Sequence, residues 1–190
     1  MLNHNRTSLL LATTLLILSS LAFTSNVFAD VKAGDTVQTL VNLHPDANRM
    51  TVYTMNYQIA GVLIPVCSEI TIKKVKKKKM VFEWKGMEYT MAWDKHTKRA
   101  GLSLMDVANT FFGESCDKAK IDRMSEVDRK GIRLGEPAVG MTREGILIAM
   151  GPPPKHANPD PDASSYMYWK NRFAKKAVDF NEKGKVIEVR

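Results

Sequence analysis

Between Met80 and Trp93 the apolar residues fall on every second position in two runs, Met80, Phe82, Trp84 and then Met87, Tyr89, Met91, Trp93, with Gly86 between them. Only an extended chain places alternate side chains on one face, so this segment predicts an antiparallel hairpin with one buried side. Met50 to Tyr57 (MTVYTMNY) and Ile70 to Val75 (ITIKKV) supply two more strand-like runs. Gly61 to Val66 has an apolar centre but carries Pro65, which places it at a strand end or an edge. From Val31 to Trp93 the chain thus reads as four to six short strands. That is too few for a sandwich and suits a small closed or nearly closed barrel.

The first thirty residues follow another rule. Arg6 is the only charged side chain ahead of a fifteen-residue apolar run, Leu9 to Phe23, which polar Thr24, Ser25 and Asn26 follow before Val27-Phe28-Ala29. This is the pattern of a secretory signal peptide, residues 1–29, with cleavage expected after Ala29. An uncleaved anchor would want about 20 predominantly apolar residues. No cysteine stands at the cleavage point to accept a lipid, so the expectation is a soluble exported chain with neither a transmembrane nor a lipid anchor. The whole sequence carries 28 Lys+Arg against 20 Asp+Glu; removing the leader removes one Arg and no acid, leaving +7 on 161 residues.

Export puts Cys67 and Cys116 in an oxidising compartment. A bridge across their forty-nine-residue separation would stabilise by roughly 4 kcal/mol through loop closure. Two inert thiols are the other reading. Neither cysteine has a second Cys or His at metal-ligand spacing.

Helix signals begin at Ser103. Ser103 and Asp106 have capping-box spacing, Leu104, Val107, Ala108 and Phe111 recur at helical period, and Gly113 is expected as the residue that ends the helix. Residues 114–131 are charge-dense with a narrow stripe, Ile121, Met124, Val127, and predict a linker helix lying on a surface. Thr142 then caps an apolar helix, Arg143 to Met150, closed by Gly151 and three prolines. Residues 155–165 predict an exposed, mobile loop. Tyr166 to Trp169, Ala177 to Phe180 and Val186 to Val189 predict a three-stranded meander, its last turn carrying Gly184.

The C-terminal third, with V-G-M-T-R-E-G-I-L-I-A-M-G-P-P at 139–153, the aromatic strand at 166–169 and V-D-F-N-E-K-G-K-V at 178–186, is similar to the SmpA/OmlA (BamE-like) domain. That resemblance implies a non-enzymatic envelope module of Gram-negative bacteria, best known as a small lipoprotein supporting outer-membrane protein assembly, with related folds in secreted inhibitors. Here the lipid-acceptor cysteine is missing and another unit precedes the module. The Y-x-x-N-Y…G-x-L-I-P stretch at 53–65 looks like an SH3-type small barrel. The expected fold is therefore mainly β with an α+β C-terminal module: a small SH3-like barrel with a terminal helix at 30–113, a linker helix at 114–131, and a helix plus three-stranded antiparallel meander at 132–190.

One charge feature stands out. Lys73, Lys74, Lys76, Lys77, Lys78 and Lys79 put six lysines into seven positions between two predicted strands; without them the mature balance would be 21 basic against 20 acidic residues. Such a cluster could grip lipid headgroups, lipopolysaccharide phosphates or an acidic protein face, or simply blunt strand-edge pairing as a solvated hairpin tip. Nucleic acid is not expected as a partner, since no aromatic residue is interleaved for base stacking. Tyr53 and Tyr57, four apart and so on one face of an expected strand, are candidates for a peptide or glycan groove. His44, His96 and His156 are scattered and lack zinc spacing; no nucleophile elbow and no phosphate-binding loop is present. Asp160 and Asp162 lie in the loop without further acidic ligands for calcium. The expectation is a non-enzymatic, cofactor-free and metal-free interaction protein of the periplasm, binding an envelope protein or an anionic lipid or lipopolysaccharide surface. The other reading is an accessory or inhibitor of a cell-wall enzyme.

Overall fold

The computed structural model describes residues 30–190 apart from Ala60 and Arg172; the expected signal peptide, residues 1–29, lies outside the described residues. The chain is mostly β, with one curled half-barrel sheet and a separate three-stranded sheet. The first sheet takes the order β2 (Thr51–Tyr53), β5 (Met87–Ala92), β4 (Lys79–Trp84), β3 (Glu69–Lys76), β1 (Thr36–Thr39), β6 (Phe112–Gly113). Its β2–β5 pair is parallel and the others are antiparallel.

The alternating segment folds as the period of two requires. Met80 faces Met91 and Phe82 faces Tyr89 across β4–β5, all four buried. Lys85 and Gly86 close the hairpin with φ of 51° and 77°. Two consecutive positive φ values match the twist of the flanking strands. Ile70 and Ile72 of β3 complete this face, and α2 (Leu104–Phe111) covers it with Leu104, Val107, Ala108 and Phe111. The Ser103–Asp106 capping box forms in both directions.

Four local expectations are corrected. The predicted strand 50–57 stops at Tyr53, because the chain turns and Asn56 takes φ 44°. Gly61 to Val66 contributes a single bridge, Leu43 to Ile64. Gly113 does not end α2 in a left-handed turn: the chain runs directly into β6 and pairs with Gln38 and Thr39. The linker helix resolves into α3 (Lys118–Asp122) and α4 (Glu126–Leu134), split where Ser125 caps the second. A five-residue helix that sequence reading missed, α1 (Lys95–Arg99), starts on an Asp94 cap.

The second core lies under α5 (Arg143–Met150), which packs with α4 on the meander β7 (Ser165–Trp169), β8 (Lys175–Phe180), β9 (Val186–Val189). One buried carboxylate joins the two helix starts. Asp128 accepts hydrogen bonds from the Ser125 hydroxyl at 2.6 Å, the Thr142 amide at 2.6 Å and the Thr142 hydroxyl at 3.0 Å. Ser125 caps α4 and Thr142 caps α5, so Asp128 holds two caps with one side chain and sits favourably at the positive end of α5. Only glycine fits opposite: a Cβ on Gly145 would overlap the Asp128 carboxylate.

Asp128→Ala removes the acceptor from both caps and strands the Thr142 amide. The expected cost is about 3 kcal/mol, read as a lower urea midpoint. Glu126→Ala, on the same turn but exposed, should change stability by about 0.5 kcal/mol or less.

Candidate functional site

The six lysines sit at the far end of the β3–β4 hairpin. Lys76 pairs with Lys79 across a two-residue turn of Lys77 and Lys78. The register slips between Ile72 and Lys74, which leaves both Lys73 and Lys74 exposed where strict alternation would bury one. Lys73 forms an ion pair with Glu83 at 3.0 Å. Among the described residues no carboxylate pairs with the other five lysines. The Trp93 amide donates to the Lys78 carbonyl, and the Lys78 ammonium lies 5.9 Å from the Trp93 ring centre. That contact sets α1, with Lys95, Lys98 and Arg99 exposed, beside the lysine turn. The basic surface is therefore larger than the run in the sequence.

Tyr53 and Tyr57 do meet, but not as neighbours on one strand face. β2 ends at Tyr53, and the turn at Asn56 brings the second ring back, edge to face, at 5.4 Å. Tyr57 is 8% exposed, and burial, helped by Asp94 and Tyr53, pushes its hydroxyl up to about 12. Tyr53 remains half-buried and accepts a hydrogen bond from Arg49 at 3.1 Å.

Asn56 turns the chain because its side chain is needed elsewhere. The last carbonyls of a helix have no partner within it, and those of α5 point into the first unit. Ile148 accepts from the Asn42 amide, Ala149 from the side chains of Asn42 and His44, and Met150 from those of Asn56 and Gln58. Asn42 also donates to the Ile132 carbonyl in α4 at 2.7 Å. Two asparagines, one histidine and one glutamine therefore finish a helix that belongs to the other core. Cys67 and Cys116 are joined in a disulfide, with their Cα atoms 5.3 Å apart, which ties the start of β3 to the chain beyond β6.

Between the units lies a cleft of about 560 Å3. One wall comes from the turn after α1 and from α2, through Ala100, Leu102, Val107 and Phe111; the other is the loop after α5, with Pro152, Pro153, Pro154, Pro159 and Pro161. The composition of 155–165 predicts mobility, yet the loop is pinned. Asn158, buried, donates to the carbonyls of Pro154 and Met167 and accepts from the Met167 amide, and the Tyr166 hydroxyl donates to Pro161.

His96 from α1 and His156 from this loop also line the cleft, their ring centres 4.7 Å apart, with His156 a further 5.2 Å from Trp169. Burial, and then the neighbouring His96, hold His156 below the ordinary imidazole value. These histidines look scattered in the sequence because the fold, and no local spacing, brings two of them together. Among the described residues no group of three or more His, Cys, Asp or Glu could hold a metal ion.

His44 gives the seam a pH dependence. Its pKa is lowered to about 4, chiefly by burial and also by Lys176, against the opposing Ala149 carbonyl and Glu136. To donate to Ala149 the neutral ring carries its proton on Nε2. The unfolded chain takes up a proton near the ordinary value of about 6.5, which the folded chain refuses until about 4. Stability from this group is thus complete above about 6.5 and is lost as the pH falls toward 4. Between pH 7.5 and pH 5 the expected loss is about 2 kcal/mol, seen as a falling urea midpoint. His44→Gln, which keeps a donor but cannot titrate, should flatten most of that slope.

Compared with family models, with curated proteins and with solved structures, the chain gives no match.

Proposed function

We propose that this chain is an exported, non-catalytic interaction protein of the cell envelope that binds an anionic envelope surface through the lysine-tipped β3–β4 hairpin. The observation that carries the reading is the tip itself: six lysines around a two-residue turn, five of them without a carboxylate partner among the described residues. A hairpin tip held by a half-barrel presents this charge without the entropy loss of ordering a flexible tail. Lys95, Lys98 and Arg99 of α1 extend it, and β4 continues from the tip into the buried core. Each lysine near an anionic membrane surface contributes about 1 kcal/mol, and the attraction decays over a Debye length of roughly 8 Å at physiological salt.

Among the described residues no helix is long and apolar enough to cross a membrane. Under this reading the chain is periplasmic, its first unit is a small barrel of SH3 type, and its last third is an SmpA/OmlA-like module. A capped helix followed by a three-stranded meander is the arrangement that resemblance implies, and it supports an envelope role such as outer-membrane assembly or integrity. The alternative, a glycan- or peptide-binding unit serving a cell-wall enzyme, has less support because Tyr57 of its expected groove is buried.

The test is sedimentation of the mature chain with vesicles containing an anionic phospholipid or lipopolysaccharide. Binding should fall steeply from low to high salt. Replacing Lys76, Lys77, Lys78 and Lys79 together with Gln should weaken it by roughly a hundredfold or more. Binding that ignores both salt and the four replacements would overturn the proposal.

A further inference from the structure

The inter-unit cleft is distinct from the lysine tip and carries its own chemistry. Its walls are apolar, and its volume of about 560 Å3 lies within the range of roughly 300 to 1,000 Å3 typical of small-ligand sites. Five prolines form one wall. Proline has no backbone N–H, so these five positions offer no backbone donors to a peptide's carbonyls. The polar side chains deeper in the cleft are already satisfied: Thr54 and Thr97 bond each other at 2.8 Å, and Asn158 is held within its own loop. A peptide laid here would bury unpaired carbonyls, at a cost of about 1 to 3 kcal/mol each. A hydrocarbon chain has nothing to satisfy and fits such a wall without that penalty.

The charge around the cleft selects the other end of the ligand. His96, His156 and Lys155 line it, and Arg99 and Lys175 act on His156 from nearby. Among the described residues neither imidazole has a hydrogen-bond partner for its ring nitrogens, so both have N–H donors to offer. Two acids stand here, Asp94 and, in the lining itself, Asp106; their oxygens cap helices, Asp94 accepting from the His96 amide at 2.6 Å and Asp106 from the Ser103 amide at 2.7 Å, and the cations Lys155, Arg99 and Lys175 outnumber them. An anion therefore finds donors and net positive charge here.

We propose that this cleft binds one long-chain fatty carboxylate, its acyl chain lying along the proline wall and its carboxylate meeting His96, His156 and Lys155. The loop holding the prolines is tied to β7 through Asn158 and Tyr166, so that wall is held in place. Both units contribute a wall, so the site exists only when they are docked.

The experiment uses the mature chain, residues 30–190, and cis-parinarate, a polyene fatty acid that fluoresces in apolar surroundings, kept below its micellar concentration. Saturable binding at one site per chain is expected, displaced by palmitate. Thr110→Trp, an exposed position of α2 that lines the cleft, and Ala100→Trp both fill the space and should abolish binding while the urea midpoint stays near wild type. Lys155→Gln combined with His156→Gln should weaken palmitate by about tenfold and leave uncharged hexadecanol unchanged. Three results would overturn the proposal: no saturable binding, binding that survives both tryptophan variants, or displacement by hexadecanol or inorganic phosphate as effective as by palmitate. Lys76 to Lys79→Gln should not alter parinarate affinity, which separates this site from the hairpin tip.

Discussion

The two units are held by unfinished hydrogen bonding at one end of α5. A helix that ends inside a protein must find donors for its last carbonyls, because water cannot reach them and each one left unpaired costs a sizeable fraction of a domain's net stability. Here the donors come from residues 42 to 58 of the other unit. The demand propagates outward. Asn56 must take a left-handed turn, which ends β2 after three residues; Gly135 and Gly151 must be glycines, since a side chain at either would press into His44 or Asn56. The same seam fixes the angle between the units and so the width of the cleft beside it.

Much of this architecture was readable from local pattern. The alternation around Gly86, the Ser103–Asp106 cap, the Thr142-capped helix and the final meander each combine a periodicity with a punctuation residue, and each forms within a few residues of where the pattern places it. What escaped has a common cause. Asn42 and Asn56 act on partners fourteen to about a hundred residues away, so no local spacing advertises them; Asp128 stands at capping-box spacing from Ser125, but its bonds to Thr142 reach fourteen residues on. Gly113 carries the signal of a helix terminator, yet strand pairing with β1 takes precedence over it. The short α1 is almost wholly polar and has no apolar stripe to announce it.

The candidate sites divide the same way. The lysine run is visible in the sequence as composition, but the bulge that exposes both Lys73 and Lys74, and the basic helix beside the turn, are properties of the fold. The two tyrosines meet for a reason the spacing of four did not contain. The cleft was illegible because its walls are a loop of prolines and two short helices, each bland alone. Only docking of the units turns prolines that look like linker into the wall of a cleft.

The Cys67–Cys116 bond also decides how the chain responds to damage. The lysine turn, α1 and α2 all lie inside the covalent loop it closes. Exposed lysines at a hairpin tip are where a trypsin-like protease cuts first, and one cut there opens the backbone without releasing either piece. The nicked chain stays a single molecule, its fragments at high effective concentration and both cores complete, for as long as its surroundings remain oxidising.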